Sequence, residues 1–429
     1  MLSYFCDDRD EKMKKLISFI CLLLPTILQA QTLTLEACIE KAQRNYPAVK
    51  QYSLIEKSRD YSISNAAKGW LPQIGVSVGG YAFTDIVDGD VLDVMGVDME
   101  NWIVNGAVTV SQNIYDGGQI AANKRVTHAE AEVELRELDV TMYDIDERVQ
   151  QIFFGILVID EQIRQNGLLQ EDLEISRNSV ESMMKGGIAN ESDLDAVKVE
   201  QVKAKQQLGA LQSSRKAYLR MLGVFIGEKV EGGSSLVIPT AKVGATWSEN
   251  YEQRPEMAYY SAAEKLVDEQ NKKLNARLRP TLGAFVTGMI HNSVTDMVNN
   301  GVIAGGLSLS WNIGALYTRK NDLMKLDIQR STIESERETF IFNTRLQNAD
   351  SNGAIESLRT QISQDDEIVR LRESIRSKSE KKVELGTESV SEMLRDINAV
   401  SQARQQKALH EIQLTKEIYN LNHIIGREK

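Results

Sequence analysis

Residues Val108-Thr109-Val110-Ser111-Gln112-Asn113-Ile114-Tyr115-Asp116-Gly117-Gly118 have a second version later in the chain, Leu307-Ser308-Leu309-Ser310-Trp311-Asn312-Ile313-Gly314. Ser111-Gln112-Asn113-Ile114 returns as Ser310-Trp311-Asn312-Ile313, a shift of 199 positions (310 − 111). The same shift carries Gly187 onto Gly386, Ser192 onto Ser391, Asp193 onto Glu392 and Ile226-Gly227 onto Ile425-Gly426. One ungapped offset therefore spans 119 positions (227 − 108). Ahead of it, Leu71-Pro72 matches Arg279-Pro280 at a shift of 208 (280 − 72), which gives the first copy nine extra residues (208 − 199). Two generic helical hairpins would explain helicity, but not matched prolines, asparagines and glycines. The pattern is that of one unit written twice.

Each copy has the same order of parts: helix, proline, two strands, a very long helix, a glycine turn and a returning helix. In copy one, Leu35 to Lys68 reads as helix and stops before Trp70-Leu71-Pro72, because proline lacks the backbone donor and restrains its predecessor. Ile74, Val76 and Val78 then alternate with Gly75, Ser77 and Gly79. A polar loop through Asp85, Asp88, Asp90 and Asp93 leads to Trp102, Val104, Gly106, Val108 and Val110, alternating with Asn105, Ala107, Thr109 and Ser111. In copy two, Leu282, Ala284, Val286 and Ile290 oppose Thr281, Gly283 and Thr287. Ile303, Leu307 and Leu309 oppose Ala304, Gly306, Ser308 and Ser310. Apolar residues alternating with small and polar ones over about ten residues are the pattern of strands with one face on lipid and one on water. A soluble sandwich alternates in the same way. Small inner residues, and Trp70, Trp102 and Trp311 at strand ends where membrane-interface aromatics sit, favour the lipid reading. Four strands cannot close a barrel, so closure needs further copies; strand count alone allows two, three or four.

From about Gly118 to Lys185 no proline interrupts a helix on the order of 100 Å long at the usual rise per residue. Within it Leu138, Met142, Ile145, Val149, Ile152, Ile156, Ile159 and Ile163 repeat every 3.5 residues on average, the seam of a left-handed coiled coil. The matched helix, about Arg319 to Leu385, is more polar at its centre. Asn343, Thr344, Asn348, Ser351 and Asn352 there suit a helix lining a water-filled bore. Both helices turn back at Gly186-Gly187-Ile188-Ala189 and Gly386-Thr387-Glu388-Ser389, glycine supplying the left-handed residue that ends a helix. Asn190 or Ser192, and Ser389 or Ser391, are available as caps for the returning helices. The expected result is two hairpins per chain, with tips at the end far from the strands.

Met13, Lys14 and Lys15 precede an apolar run from Leu16 to Leu28 and then Gln29-Ala30, the layout of a secretory signal peptide cut after Ala30, with Met13 as its start. The run is short for a membrane span, which needs roughly 20 apolar residues. Ser18-Phe19-Ile20 before Cys21 is no lipoprotein cleavage box. The segment 1–30 has four acidic and four basic residues, so the net charge of −11 belongs to the remainder. An acidic exported chain is a poor match for nucleic acid. Only Cys38 lies beyond the cut, which rules out an internal disulfide there. His128, His291, His410 and His423 have no metal-ligand spacing, and the Gly-Gly pairs lack a phosphate-cradling Lys-Ser/Thr. No enzyme, metal or cofactor is expected.

Leu71-Pro72 before a strand pair, Tyr115-Asp116-Gly117-Gly118 opening a long helix, and Gly187-x5-Asp193-Leu194 and Gly386-x5-Glu392-Met393-Leu394 after the tips resemble the TolC-type outer membrane efflux family. The resemblance runs from about Thr32 to Gly426. It implies a mainly α chain with a small β part, forming a homotrimer: a twelve-stranded barrel in outer-membrane lipid of a Gram-negative bacterium, joined to a periplasmic tunnel of twelve long helices. It also implies a passive exit duct that docks an inner-membrane transporter, directly or through a periplasmic adaptor (membrane fusion) protein, and exports drugs, metal ions or proteins. The domains implied are a signal peptide (1–30), a first repeat (31–227, β-hairpin 72–114, helical hairpin 118–227), a linker (228–249) and a second repeat (250–429, β-hairpin 280–313, helical hairpin 318–427).

By the same resemblance, acids near the tips ring the closed entrance. Carried over, these are Glu392 and Asp193, whose threefold repetition would concentrate negative potential; an acid beside a helix start also simply suits the dipole there. Glu388 stands where better-known members have arginine, and Arg395 where they have a second acid, so the latch here is expected to pair Arg395 with Glu392 or Asp193. Gly186, Gly187, Gly386 and Thr387 are the adaptor-contacting positions. A periplasmic coiled-coil adaptor or structural protein would explain the seam and the acidity, but not two alternating strand pairs bounded by proline and tryptophan.

Overall fold

Pro47 divides the first expected helix. In the computed structural model, which describes residues 32–82, 102–240, 251–291 and 301–426, α1 (Leu35–Asn45) ends two residues before it and α2 runs Val49–Ala67. The single helix expected over Leu35 to Lys68 is thereby corrected. Proline has no N–H to continue the ladder and pushes Tyr46 out of helical backbone. A tight turn replaces the missing bonds, with Val49 N–H donating to Tyr46 O at 3.0 Å and Gln51 N–H to Ala48 O at 2.8 Å. The signal segment, the acidic loop from Asp85 to Asp93 and the linker from 241 onward lie outside the described residues, as does the Trp102 side chain.

The remaining elements run in the expected order of helix, strand pair, long helix and returning helix. β1 (Thr32–Leu33) precedes the helices just named; after a 3-10 turn at Lys68–Trp70 come β2 (Gln73–Ala82) and β3 (Trp102–Tyr115). Then come α3 (Gln119–Lys185), α4 (Glu191–Ile226), β4 (Ser235–Leu236) and α5 (Pro255–Ala276). β5 (Thr281–His291), β6 (Val302–Ser310), α6 (Ala315–Glu384) and α7 (Val390–Ile424) complete the chain. β4 pairs in parallel with β1, a two-residue contact invisible in the sequence because two residues show no period.

The described residues form two compact units. The first comprises those within 1–42, 149–240 and 361–415; the second comprises those within 43–148, 241–360 and 416–429.

The second unit contains one antiparallel sheet in the order β2-β3-β5-β6. Ile74 pairs with Val110, Val110 with Val286 and Val286 with Gly305; Val76 pairs with Val108, Val108 with Gly288 and Gly288 with Ile303. One face is therefore a continuous apolar ladder. Ile74, Val76, Val78, Ile303, Leu307 and Leu309 on it are 71–83% exposed. Leaving such side chains in water forfeits about 1.5–3 kcal/mol each relative to burial. The opposite face has Gly75, Ser77, Ala107, Thr109, Thr287 and Ser308, with Thr109 and Thr287 hydroxyls 3.0 Å apart. β5 also places Phe285 and Met289 on this small-residue face, which the alternation reading had not included.

Seven of the eight seam residues on α3 are buried, Ile163 being half-buried. The polar centre of α6 reads differently from expectation. Thr344, Asn348 and Ser351 are buried and satisfied, so a water-lined bore is not what these three provide. Asn348 donates to the Tyr251 hydroxyl at 3.2 Å, Ser351 donates to Glu417 at 2.5 Å, and Thr344 donates to Phe340 O at 2.8 Å. The partners of Asn348 and Ser351 come from chain segments far away in sequence, whereas that of Thr344 lies one turn back on the same helix. Asn343 remains exposed, and Asn352, half-buried, donates to Asn348.

Candidate functional site

The tips lie in the first unit, where both hairpins contribute to one apolar cluster. Leu173, Val180 and Met183 of α3 and Val197 and Ala204 of α4 meet Val383 of α6 and Met393, Leu394 and Ile397 of α7. Polar bonds flank it. Arg376 of α6 donates to both oxygens of Asp172 of α3 at 2.7 and 2.9 Å and to Glu380 at 2.8 Å. Asn398 of α7 donates to Glu200 of α4 at 3.2 Å.

The two turns are built alike. Gly187 has φ +77° and Gly386 φ +70°, the left-handed backbone that side chains disfavour. Ile188 N–H donates to Met183 O at 2.9 Å in the first turn, and Thr387 N–H to Lys382 O at 2.9 Å in the second, closing each helix end. The Thr387 hydroxyl also donates to Lys382 O, at 3.0 Å. Gly186, Gly187, Gly386 and Thr387 are exposed.

Of the offered caps, Asn190 and Ser389 serve. Asp193 N–H donates to the Asn190 side chain at 3.2 Å, and the Asp193 carboxylate accepts from Asn190 N–H at 3.0 Å. In the second turn Glu392 N–H donates to Ser389 Oγ at 3.3 Å, and the Glu392 carboxylate accepts from Ser389 N–H at 3.2 Å and from its hydroxyl at 3.1 Å. Each is a reciprocal capping box, and the two boxes fall on positions 199 apart (389 − 190 and 392 − 193). Hydrogen bonds from Ser389 hold the exposed Glu392 carboxyl below the usual carboxylate range, with Arg395 and Lys382 adding a smaller attraction.

The four aperture candidates therefore part company. Asp193 and Glu392 are bonded to their own turns, and Arg395 is exposed and acts on Glu392 electrostatically. Glu388 turns inward instead: it accepts from Ser379 at 3.0 Å and lies 3.3 Å from Lys382, fastening the turn to the end of α6. Sequence reasoning missed the Ser379 and Lys382 contacts, because helix geometry alone does not say which way the turn folds back. Of the tryptophans, Trp70 and Trp311 are exposed, and Trp311 Nε1 donates to Leu278 O at 3.0 Å. Among the described residues no group of three or more His, Cys, Asp or Glu could hold a metal ion, and no helix is long and apolar enough to cross a membrane.

These features together define a strand-bearing, double-hairpin chain with a four-stranded antiparallel sheet. No protein-family model matches the sequence, and no curated protein matches it. Solved structures do match. The outer membrane protein VceC from Vibrio cholerae is 12% identical with a TM-score of 0.68, over 92% of this chain and 97% of that one. The outer-membrane channel OprN is 11% identical with a TM-score of 0.70, over 92% and 90%. The MtrE outer membrane channel of Neisseria gonorrhoeae is 14% identical with a TM-score of 0.64, over 91% and 88%. What this chain shares with them, along nearly its whole length, is the TolC-type channel fold.

Proposed function

We propose that the chain is one protomer of a trimeric export channel in the outer membrane, an exit duct and not an enzyme. The observation that carries this is the four-stranded sheet. β2 and β6 are each paired on one side only, and the apolar face is left uncovered. An open sheet edge in hydrocarbon leaves backbone groups unsatisfied, so neighbouring copies must complete it. Three copies supply twelve strands (three times four). The apolar ladder then meets lipid, the small-residue face lines the water-filled interior, and Trp70, Trp102 and Trp311 sit at the membrane interfaces. The matched positive-φ glycines and the paired capping boxes support descent by duplication of one strand-and-hairpin unit. The likeness to proteins named as outer-membrane channels supports the same reading.

In this reading the tips form the periplasmic entrance. Asp193, Glu392 and Arg395 border it, Glu388 holds the second turn, and Gly186, Gly187, Gly386 and Thr387 present the surface for an adaptor. A periplasmic adaptor and an inner-membrane transporter open the duct by contacts there. Fractionation of expressing cells tests the proposal. The protein is expected with the outer membrane, released only by detergent, with a native mass of three chains and steady conductance in a planar bilayer. A freely water-soluble monomer would instead support a periplasmic adaptor or structural protein.

A further inference from the structure

On the small-residue face of the sheet, β5 departs from the pattern of its neighbours. From Gln73 to Gly79, Asn105 to Asn113 and Ala304 to Ser310, the other strands give that face glycine, alanine, serine, threonine, asparagine and glutamine, without a charge. On β5, Phe285 pairs with Ser111 and Gly306, and Met289 pairs with Ala107 and Val302. Cε1 and Cζ of the Phe285 ring lie 3.6 Å from where a β-carbon on Gly306 would stand, so the ring rests over β6. The repeat shifts show how it is housed. Phe285 maps back onto Ser77 (285 − 208) and Gly306 onto Ala107 (306 − 199), and Ser77 and Ala107 are themselves a cross-strand pair. Where the first copy sets a hydroxyl beside a methyl, the second sets a ring beside a glycine. The larger side chain and the missing methyl occur at one pairing. Cover of a strand glycine by an aromatic neighbour accounts for that contact. It does not account for Met289, which stands 38% exposed on the same face about 13 Å further along the strand.

We propose that Phe285 and Met289 form an apolar binding step inside the channel for flat aromatic solutes, with aromatic cations held best. This rests on the trimeric channel reading, in which that face is closed off from lipid and meets only water and cargo. A phenyl face attracts cations through its quadrupole and stacks against other rings. The methionine thioether is polarisable and adapts to either. The small uncharged side chains around the two residues leave room for a solute to reach them. Three copies place three such steps around one bore, each on the second strand pair of its chain.

The test uses the full-length protein in a planar bilayer, with ethidium in both chambers as the aromatic cation and tetraethylammonium as a cation without rings. Ethidium is expected to reduce the conductance at lower concentration than tetraethylammonium. Phe285→Leu keeps an apolar side chain and removes the ring. It should raise the half-blocking concentration of ethidium roughly threefold or more and leave that of tetraethylammonium unchanged. Phe285→Tyr should block like the native protein. Adding Met289→Ser to Phe285→Leu should weaken ethidium block further, and no further change would remove Met289 from the step. Equal block by the two cations in the native protein overturns the proposal without any variant having to fold. Ethidium block unchanged in a conducting Phe285→Leu trimer overturns it too. In both cases the channel stands. A native protein with neither trimeric mass nor conductance overturns the channel reading and this step together.

Discussion

Arg376 grips Asp172 through two nitrogens at 2.7 and 2.9 Å, joining the end of α6 to α3. Both side chains are four-fifths buried or more, with Glu380 on the remaining guanidinium edge and Arg404 4.0 Å from Asp172. A forked, charge-assisted pair shielded from water is stronger than a surface ion pair, and breaking it leaves the other member partly buried without its partner. Arg376→Ala should cost about 1–3 kcal/mol of stability. Arg376→Lys should recover only part of that, because an ammonium cannot bond both oxygens in one plane. Urea unfolding followed by circular dichroism measures both. A double cycle with Asp172→Ala should show coupling of about 1 kcal/mol or more; additive losses would remove the pair from the account.

Gly155 and Gly167 both interrupt α3, and they should respond oppositely to alanine. A β-carbon on Gly155 would lie 2.4 Å from Cε1 of Tyr218, whereas nothing stands within 4 Å of one on Gly167. The close approach of α4 to α3 thus requires glycine at 155. Gly155→Ala should destabilise by about 1–3 kcal/mol through forced displacement of the tyrosine ring, and Tyr218→Leu should restore much of the loss. Gly167→Ala should stabilise by about 1 kcal/mol through helix propensity alone. Thermal melts of the variants in one detergent decide it.

Much of this architecture was legible before any coordinates, for a physical reason. Turns that need left-handed backbone select glycine wherever they occur, and Gly187, Gly227, Gly386 and Gly426 all stand at positive φ. Strand faces were legible because the side-chain period is two. What stayed hidden depended on distant partners. Asn348 and Ser351 read as bore-lining because nothing near them in sequence announces Tyr251 or Glu417. The break at Pro47 could have been read by rule, but the surrounding residues continue in good helix formers. The bonds of Asp193 and Glu392 to Asn190 and Ser389 were readable as capping boxes, while the inward turn of Glu388 was not.

Asp116 gives a sharper test of how the strand-to-helix junction is set. Its carboxylate accepts from Gly118 N–H at 2.9 Å and Ile120 N–H at 2.6 Å, while Gly117 and Gly118 have φ +69° and +86°. A β-carbon on Gly117 would lie 3.0 Å from that of Arg279. The acid thus satisfies the free amides at the start of α3, and the glycines make room for the turn. Asp116→Ala should cost about 1–2 kcal/mol and Asp116→Asn distinctly less, since one amide oxygen can still cap. Gly117→Val should be worse than either, combining a disfavoured φ with that contact. Yield of folded protein and melting temperature rank the three.

Glu392 is the residue at which stability and selectivity can be separated. Its folded-state carboxyl lies below the usual range because Ser389 donates to the ionised form. A carboxylate depressed on folding adds stability above its unfolded value, and loses it as pH falls through the folded one. The melting-temperature gap between the native protein and Glu392→Gln should therefore be widest near neutral pH and shrink as the pH drops below the ordinary carboxylate range. Ser389→Ala should reproduce that stability loss while leaving the negative charge at the tip. If Glu392 also sets the potential of the entrance, Glu392→Gln should lower the preference for potassium over chloride in bilayer reversal potentials, and Ser389→Ala should not. Equal reversal potentials for all three proteins would leave Glu392 as a cap and nothing more.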